Sequence, residues 1–229
     1  MYRRTVGLAI ALIIALVISG VGLIGCKKSA KAAEQAKPEA PKGYVLVEED
    51  VLLQFVDSPG EHFHKARQSF LKKDFKAAAE DIRKGAAFLR LQAARATNEG
   101  KKGLIASIAE LERLANDVEK GTVTSAKTLD LAFARAHHKL AQHHYLKALD
   151  YKAKKDMKRL GHSLKAAAVH LENGFAWTGR ELEAGTVRVV RTALGLGSKL
   201  IEGTGWITEE VGKTIDYIGE EIMKLGKML

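Results

Sequence analysis

The 229-residue chain has one cysteine, Cys26, and three prolines, Pro38, Pro41 and Pro59, with none beyond. One thiol excludes an internal disulfide framework and any zinc site built on two or more thiolates. Catalytic signatures are also missing. There is no glycine-rich phosphate loop, nucleophile elbow or His-Glu-x-x-His motif, and no Cys-x-x-Cys-His haem attachment. Isolated Ser, Asp and Glu residues show no distinguishing spacing. The expectation is a protein that is not an enzyme and calls for no cofactor. The proline-free remainder is rich in Ala, Leu, Lys and Glu. It favours long helices, because proline breaks helix interiors and these residues lose little entropy there. Hydrophobic residues at 46% and charged residues at 28% are globular values, and the length allows one domain plus extensions.

What is present begins with an address. Arg3 and Arg4 precede a run from Val6 to Leu16 in which every residue is apolar or Gly, and which stays nearly apolar to Ile24. A positive start followed by an apolar stretch is a secretory signal. It ends at Leu23-Ile24-Gly25-Cys26, followed by Lys27 and Lys28. These residues resemble the lipobox of bacterial lipoproteins. The resemblance implies cleavage after Gly25, lipidation of Cys26 and a protein of the cell envelope held on a membrane by its acyl chains. Lys27 stands where an inner-membrane retention signal would carry Asp, so the resemblance implies the outer membrane, facing the periplasm. The alternative is an uncleaved transmembrane anchor, since the apolar run is long enough to span a bilayer. Either way the bulk lies outside the cytoplasm.

Residues 26–43 carry no large apolar side chain and read as a tether. Residues 44–57 (YVLVEEDVLLQFVD) read as a short strand-like or helical piece lying against a bundle. Ser58-Pro59-Gly60-Glu61 has an N-cap, a first-position proline and an acidic third residue, so a helix starts there. Apolar stripes at spacings of three and four then predict successive helices. The second is capped by Asp74 and ends near Asn98-Glu99-Gly100. The third covers roughly 101–120 and is stopped by Gly121. The fourth starts between Thr124 and Thr128. The fifth carries Leu160, Leu164, Ala167, Leu171 and Phe175.

Lys72-Lys73-Asp74 recurs as Lys154-Lys155-Asp156. At the same offset His62-Phe63 matches His144-Tyr145, Lys65-Ala66 matches Lys147-Ala148, and Ile82, Ala86 and Leu89 match Leu164, Ala168 and Leu171. The unit is a helix, a turn and an Ala-rich helix. It resembles the helical hairpins of tetratricopeptide-type proteins and is similar to the YfdX family of bacterial envelope proteins. Two copies favour a closed bundle over a solenoid. The fold class expected is therefore all-α: an antiparallel bundle of about five helices over 44–180, with two repeated helix-turn-helix units. Residues 181–229 add a long C-terminal amphipathic helix. Val211, Ile215, Ile218, Ile222, Leu225 and Leu229 form its heptad seam, edged by Gly205, Gly212, Gly219 and Gly226. Glycine weakens a helix, so its regular placement points to a surface that something presses against. That something is the chain's own bundle, a second copy in a homo-oligomer, or a membrane surface.

Histidine is the one suggestive set. His137 and His144 fall on the apolar stripe of the fourth helix, with His138 and His143 on its flanks. Seven residues separate the pair by about 10.5 Å along the axis, too far to share one metal. Ligands from other helices, with His62, His64 and His170 as candidates and Glu80 and Glu172 as carboxylates, would have to complete a metal or haem site. Glu61 and His64 have the spacing of a di-metal ligand pair, but no second copy of that motif occurs. Histidines hydrogen-bonded in the core are the simpler reading, and their charge change near envelope pH allows a pH-responsive role. Residues 61–180 hold 24 basic against 13 acidic residues, and 181–229 hold 6 against 8. The export signal argues against nucleic acid as the partner of that basic part. It favours an anionic envelope polymer, lipid headgroups or a protein partner. The sequence reading is thus a membrane-anchored envelope lipoprotein acting as a binding, scaffolding or stress-related helical module, with a metal- or haem-binding bundle as the alternative.

Overall fold

The computed structural model describes residues 58–229, which belong to one compact unit. The signal peptide, Leu23, Ile24, Gly25, Cys26, the tether and residues 44–57 lie outside the described residues. Among the described residues the fold is all-helical: α1 (Ser58–Leu71), α2 (Phe75–Ala93), α3 (Asn98–Glu119), α4 (Ala126–Ala153), α5 (Met157–Trp177), α6 (Ala184–Glu202) and α7 (Thr208–Met228). Successive helices pack as antiparallel neighbours, and α4, α5 and α7 also touch one another. None of these helices is long and apolar enough to cross a membrane.

The repeated turns have one geometry. Lys73 and Lys155 both take left-handed backbone conformations (φ 62° and 58°). The carboxylates of Asp74 and Asp156 then accept from the backbone N–H of Ala77 and Arg159, each at 3.1 Å, and cap α2 and α5. The duplication extends beyond the matching sequence. Gly121 and Gly203, again 82 positions apart, both have positive φ (70° and 76°) and end α3 and α6. Ala126 and Thr208 open α4 and α7 at the same offset. Burial keeps step: Leu111, Ala115 and Val118 correspond to Ala193, Gly197 and Leu200, and Leu129, Phe133 and Leu140 to Val211, Ile215 and Ile222. The described chain is two copies of one four-helix unit that share α4. Its first half closes the first copy and its second half opens the second. The hydrophobic core divides accordingly, with Leu140 in one cluster and Ala141 in the other. At 28 residues α4 is about 42 Å long, enough to serve both.

Two boundaries differ from the sequence expectation. Asn98-Glu99-Gly100 opens α3 instead of ending α2. Thr97 is the N-cap, and its hydroxyl accepts from the Gly100 N–H at 3.2 Å. The C-terminal 49 residues form two helices, not one long one. Gly203 and Gly205 have positive φ, which stops α6 and redirects the chain into α7. Both helices dock on the bundle: α6 lies against α5, and α7 against α4, α5 and α6.

Glycines bring the backbones of α5 and α6 together. A Cβ on Gly161 would lie 2.6 Å from the Gly197 carbonyl oxygen, whereas one on Gly195 would meet nothing within 4 Å. Gly161→Ala must push two backbones apart and should cost roughly 1–3 kcal/mol. Gly195→Ala should instead stabilise by about 0.5–1 kcal/mol through helix propensity. Urea unfolding of the two variants checks the sign of each.

Candidate functional site: a histidine row in the core

The apolar face of α4 carries His137 and His144 two turns apart, with Ala134, Ala141 and Ala148 between and beside them. These small residues let α5 approach. Gly174 of α5 sits against the His137 Cβ, to which an added Cβ would be 3.6 Å away. The approach brings in His170 from α5. Its ring centroid lies 5.3 Å from that of His137 and 5.5 Å from that of His144, onto which it stacks. His143 follows at 4.8 Å from His144, beside Gly100 of α3. The row His137, His170, His144, His143 is closed to solvent, with each residue at most 1% exposed. At its other end the Phe63 ring meets His137 edge-on at 5.5 Å, and Phe63 stacks on Phe133 at 4.4 Å.

Hydrogen bonding is sparse here. His137 Nδ1 and His170 Nδ1 are 3.2 Å apart, so one ring donates an N–H and the other accepts through a bare nitrogen. The two rings therefore hold opposite tautomers at Nδ1. Two protonated rings would set two donors face to face, so the pair accepts at most one proton in this geometry. His137 Nε2 and both ring nitrogens of His144 are buried with no hydrogen-bond partner. Such groups are costly. Burial, joined by the neighbouring imidazoles, drives His137 and His144 well below the ordinary histidine range, and it pushes His170 down to about 3. All three are neutral at pH 7. Outside the row, burial lowers His138 to about 4, with a hydrogen bond to the Ile222 carbonyl partly opposing it.

The sequence candidates separate into three groups. His137 and His144 are brought together with His170, as a shared site would require, and His143 joins them from the flank. His64 is exposed, its ring 4.6 Å from Trp177, yet near enough to His137 to help lower it, and His62 pairs with Asp81 at 3.3 Å. Glu61, Glu80 and Glu172 are exposed. Among the described residues no three His, Cys, Asp or Glu side chains converge so as to hold a metal ion. The glycine edge is covered. Added Cβ atoms on Gly212, Gly219 and Gly226 would lie 3.5 Å from Lys152 Nζ, 2.9 Å from Tyr145 Oη and 2.8 Å from His138 Nε2. His138, Tyr145 and Lys152 are themselves seven apart on α4, so two heptad ladders mesh antiparallel. Gly205 lies before α7 and meets nothing. Of the three occupants the sequence allowed for this glycine edge, the one present in the fold is the chain's own bundle, against α4.

No family model, curated protein or solved structure matches this chain.

The row predicts opposite responses to two similar substitutions. His144→Leu removes two unpartnered buried nitrogens and leaves stability at pH 7 unchanged or higher. His170→Leu leaves His137 Nδ1 without a partner and costs roughly 1–3 kcal/mol. Denaturant midpoints at pH 7 distinguish them.

Proposed function

We propose that the chain is a lipid-anchored, non-enzymatic helical module of the bacterial envelope that binds or scaffolds, and whose fold is conditional on pH. The anchor rests on Leu23-Ile24-Gly25-Cys26. The observation that carries the pH reading is the row of buried histidines. A group whose pKa is lowered by folding binds more protons unfolded than folded between the two values. The stability contributed by its neutral state is complete above about pH 6.5 and is lost as pH falls towards the folded value, about 3 for His170. His137 and His144 are lowered by burial in the same direction, so all three lose stability together as pH falls.

An envelope protein meets the pH of the surroundings, and a stress-related role follows. Acid opens the seam between α4 and α5 and exposes their Ala- and Leu-lined faces to partners. The stability of the intact chain, followed by helical circular dichroism in urea from pH 8 to pH 4, should be flat above pH 7 and fall steeply below pH 6. A profile that stays flat to pH 5 refutes the reading. For the anchor, Cys26→Ser should move the protein from the membrane to the soluble fraction. Persistence in the membrane would favour an uncleaved apolar anchor.

A further inference from the structure

The two copies of the four-helix unit can be compared ring by ring. The second half of α4 is in register with α1, 82 positions back. In the second copy that half is preceded by the first half of α4, which carries His137 onto His170 of α5. His144 stacks on His170 from the other side, at 5.5 Å and 24°. Held between two rings, His170 is 1% exposed. In the first copy Phe88 of α2 stands in register with His170, and His62 with His144. These two rings reproduce the stack, at 5.8 Å and 28°. Phe88 is nevertheless only half-buried. Leu91, one turn further along α2, is 43% exposed.

The residue in register with His137 is Phe55, which lies outside the described residues. The pair is matched in kind in each copy: histidine with histidine in the second, phenylalanine with phenylalanine in the first. The imidazoles meet through Nδ1 atoms 3.2 Å apart. Two phenyl rings have no polar atom to satisfy and gain by burying each other's faces. Leu91 fits the same pattern, since its counterpart on α5 is the polar Asn173. Val47, Val51 and Phe55 also recur at the interval of Leu129, Phe133 and His137, all three of which α4 buries. Positions four apart share a helix face.

We infer that the Phe88–Leu91 face of α2 receives residues 47–57 of the same chain, with Phe55 against Phe88, as α5 receives the first half of α4. The chain's own segment is the favoured occupant because it runs directly into α1 at Ser58. Its effective concentration at this face exceeds that of a free partner. Pro59 stands where the second copy has Ala141 and disfavours one unbroken helix through the junction. The segment is therefore a separate piece, held by its rings. In the lipid-anchored chain proposed above, docking shortens the extended reach between Cys26 and the bundle from about 105 Å to about 70 Å. Only that consequence rests on the anchor.

The experiment is amide hydrogen exchange on the intact chain in mild detergent at pH 7, over a range of protein concentration. Residues 47–57 should exchange at least about tenfold more slowly than the same residues in a free synthetic peptide. Phe88→Glu should return them to about the peptide rate. Phe55→Ala, in the segment itself, should do the same, and it decides the matter if Phe88→Glu loosens the fold. Ile105→Glu, at an exposed apolar site on α3, should leave the protection unchanged. Slow exchange of α4 and α5 in the same sample separates release of the segment from loss of the fold. Exchange at the peptide rate in the unsubstituted chain overturns the inference. So does protection indifferent to both Phe88→Glu and Phe55→Ala, or protection that disappears on dilution, as expected of a segment held by a second copy.

Discussion

The contact on which the structure depends is the meeting of α4 and α5 at His137 and His170. The two helices close over neutral imidazoles whose Nδ1 atoms are 3.2 Å apart. Because α4 belongs to both copies of the four-helix unit, this seam lies where the two cores divide, between Leu140 and Ala141. Charge at that seam cannot be relieved by a small local shift, since Phe63 and Phe133 wall one end and α3 the other. The proposed pH dependence follows from this arrangement, since it makes the packing and the neutral state of the rings one condition.

The duplication explains how such a seam can exist in a small chain. Each copy supplies its own turn, with the left-handed lysine and the aspartate cap, and its own closing glycine at positive φ. The local structure of each half is therefore fixed by short-range chemistry that does not involve the histidines. The second copy differs at its outer helices, with Ile207 in register with Ser125 and Tyr217 with Arg135, while the turns are the same. What the two copies share is the backbone plan, and what distinguishes them is the surface of α6 and α7.

Much of this was legible in the sequence, because it rests on local rules. The Lys-Lys-Asp turns, the Asp74 cap, the stop at Gly121 and the His137–His144 stripe all follow from spacing. The rest depends on partners distant in the chain. His170 stands 26 positions beyond His144, and only the register of α5 on α4 puts it between the two. Thr97 takes the cap instead of the Asn98-Gly100 stop signal, its hydroxyl accepting from Gly100, which lies beside His143 of α4. The glycines of the C-terminal region look alike in sequence, yet Gly203 and Gly205 turn the chain while Gly219 and Gly226 receive Tyr145 and His138. The full extent of the repeat was hidden because its later part preserves burial more than identity, as with Leu111 and Ala193.

The most direct test of the account is the protonation state of the row in the folded protein. Nitrogen-15 spectra of histidine-labelled intact chain, recorded stepwise from pH 8 downwards, report each imidazole separately. The account predicts that His137, His144 and His170 keep neutral-ring shifts as long as the native spectrum persists, and become charged only as that spectrum disappears. Titration of any of the three near pH 6.5 with the fold intact would contradict it.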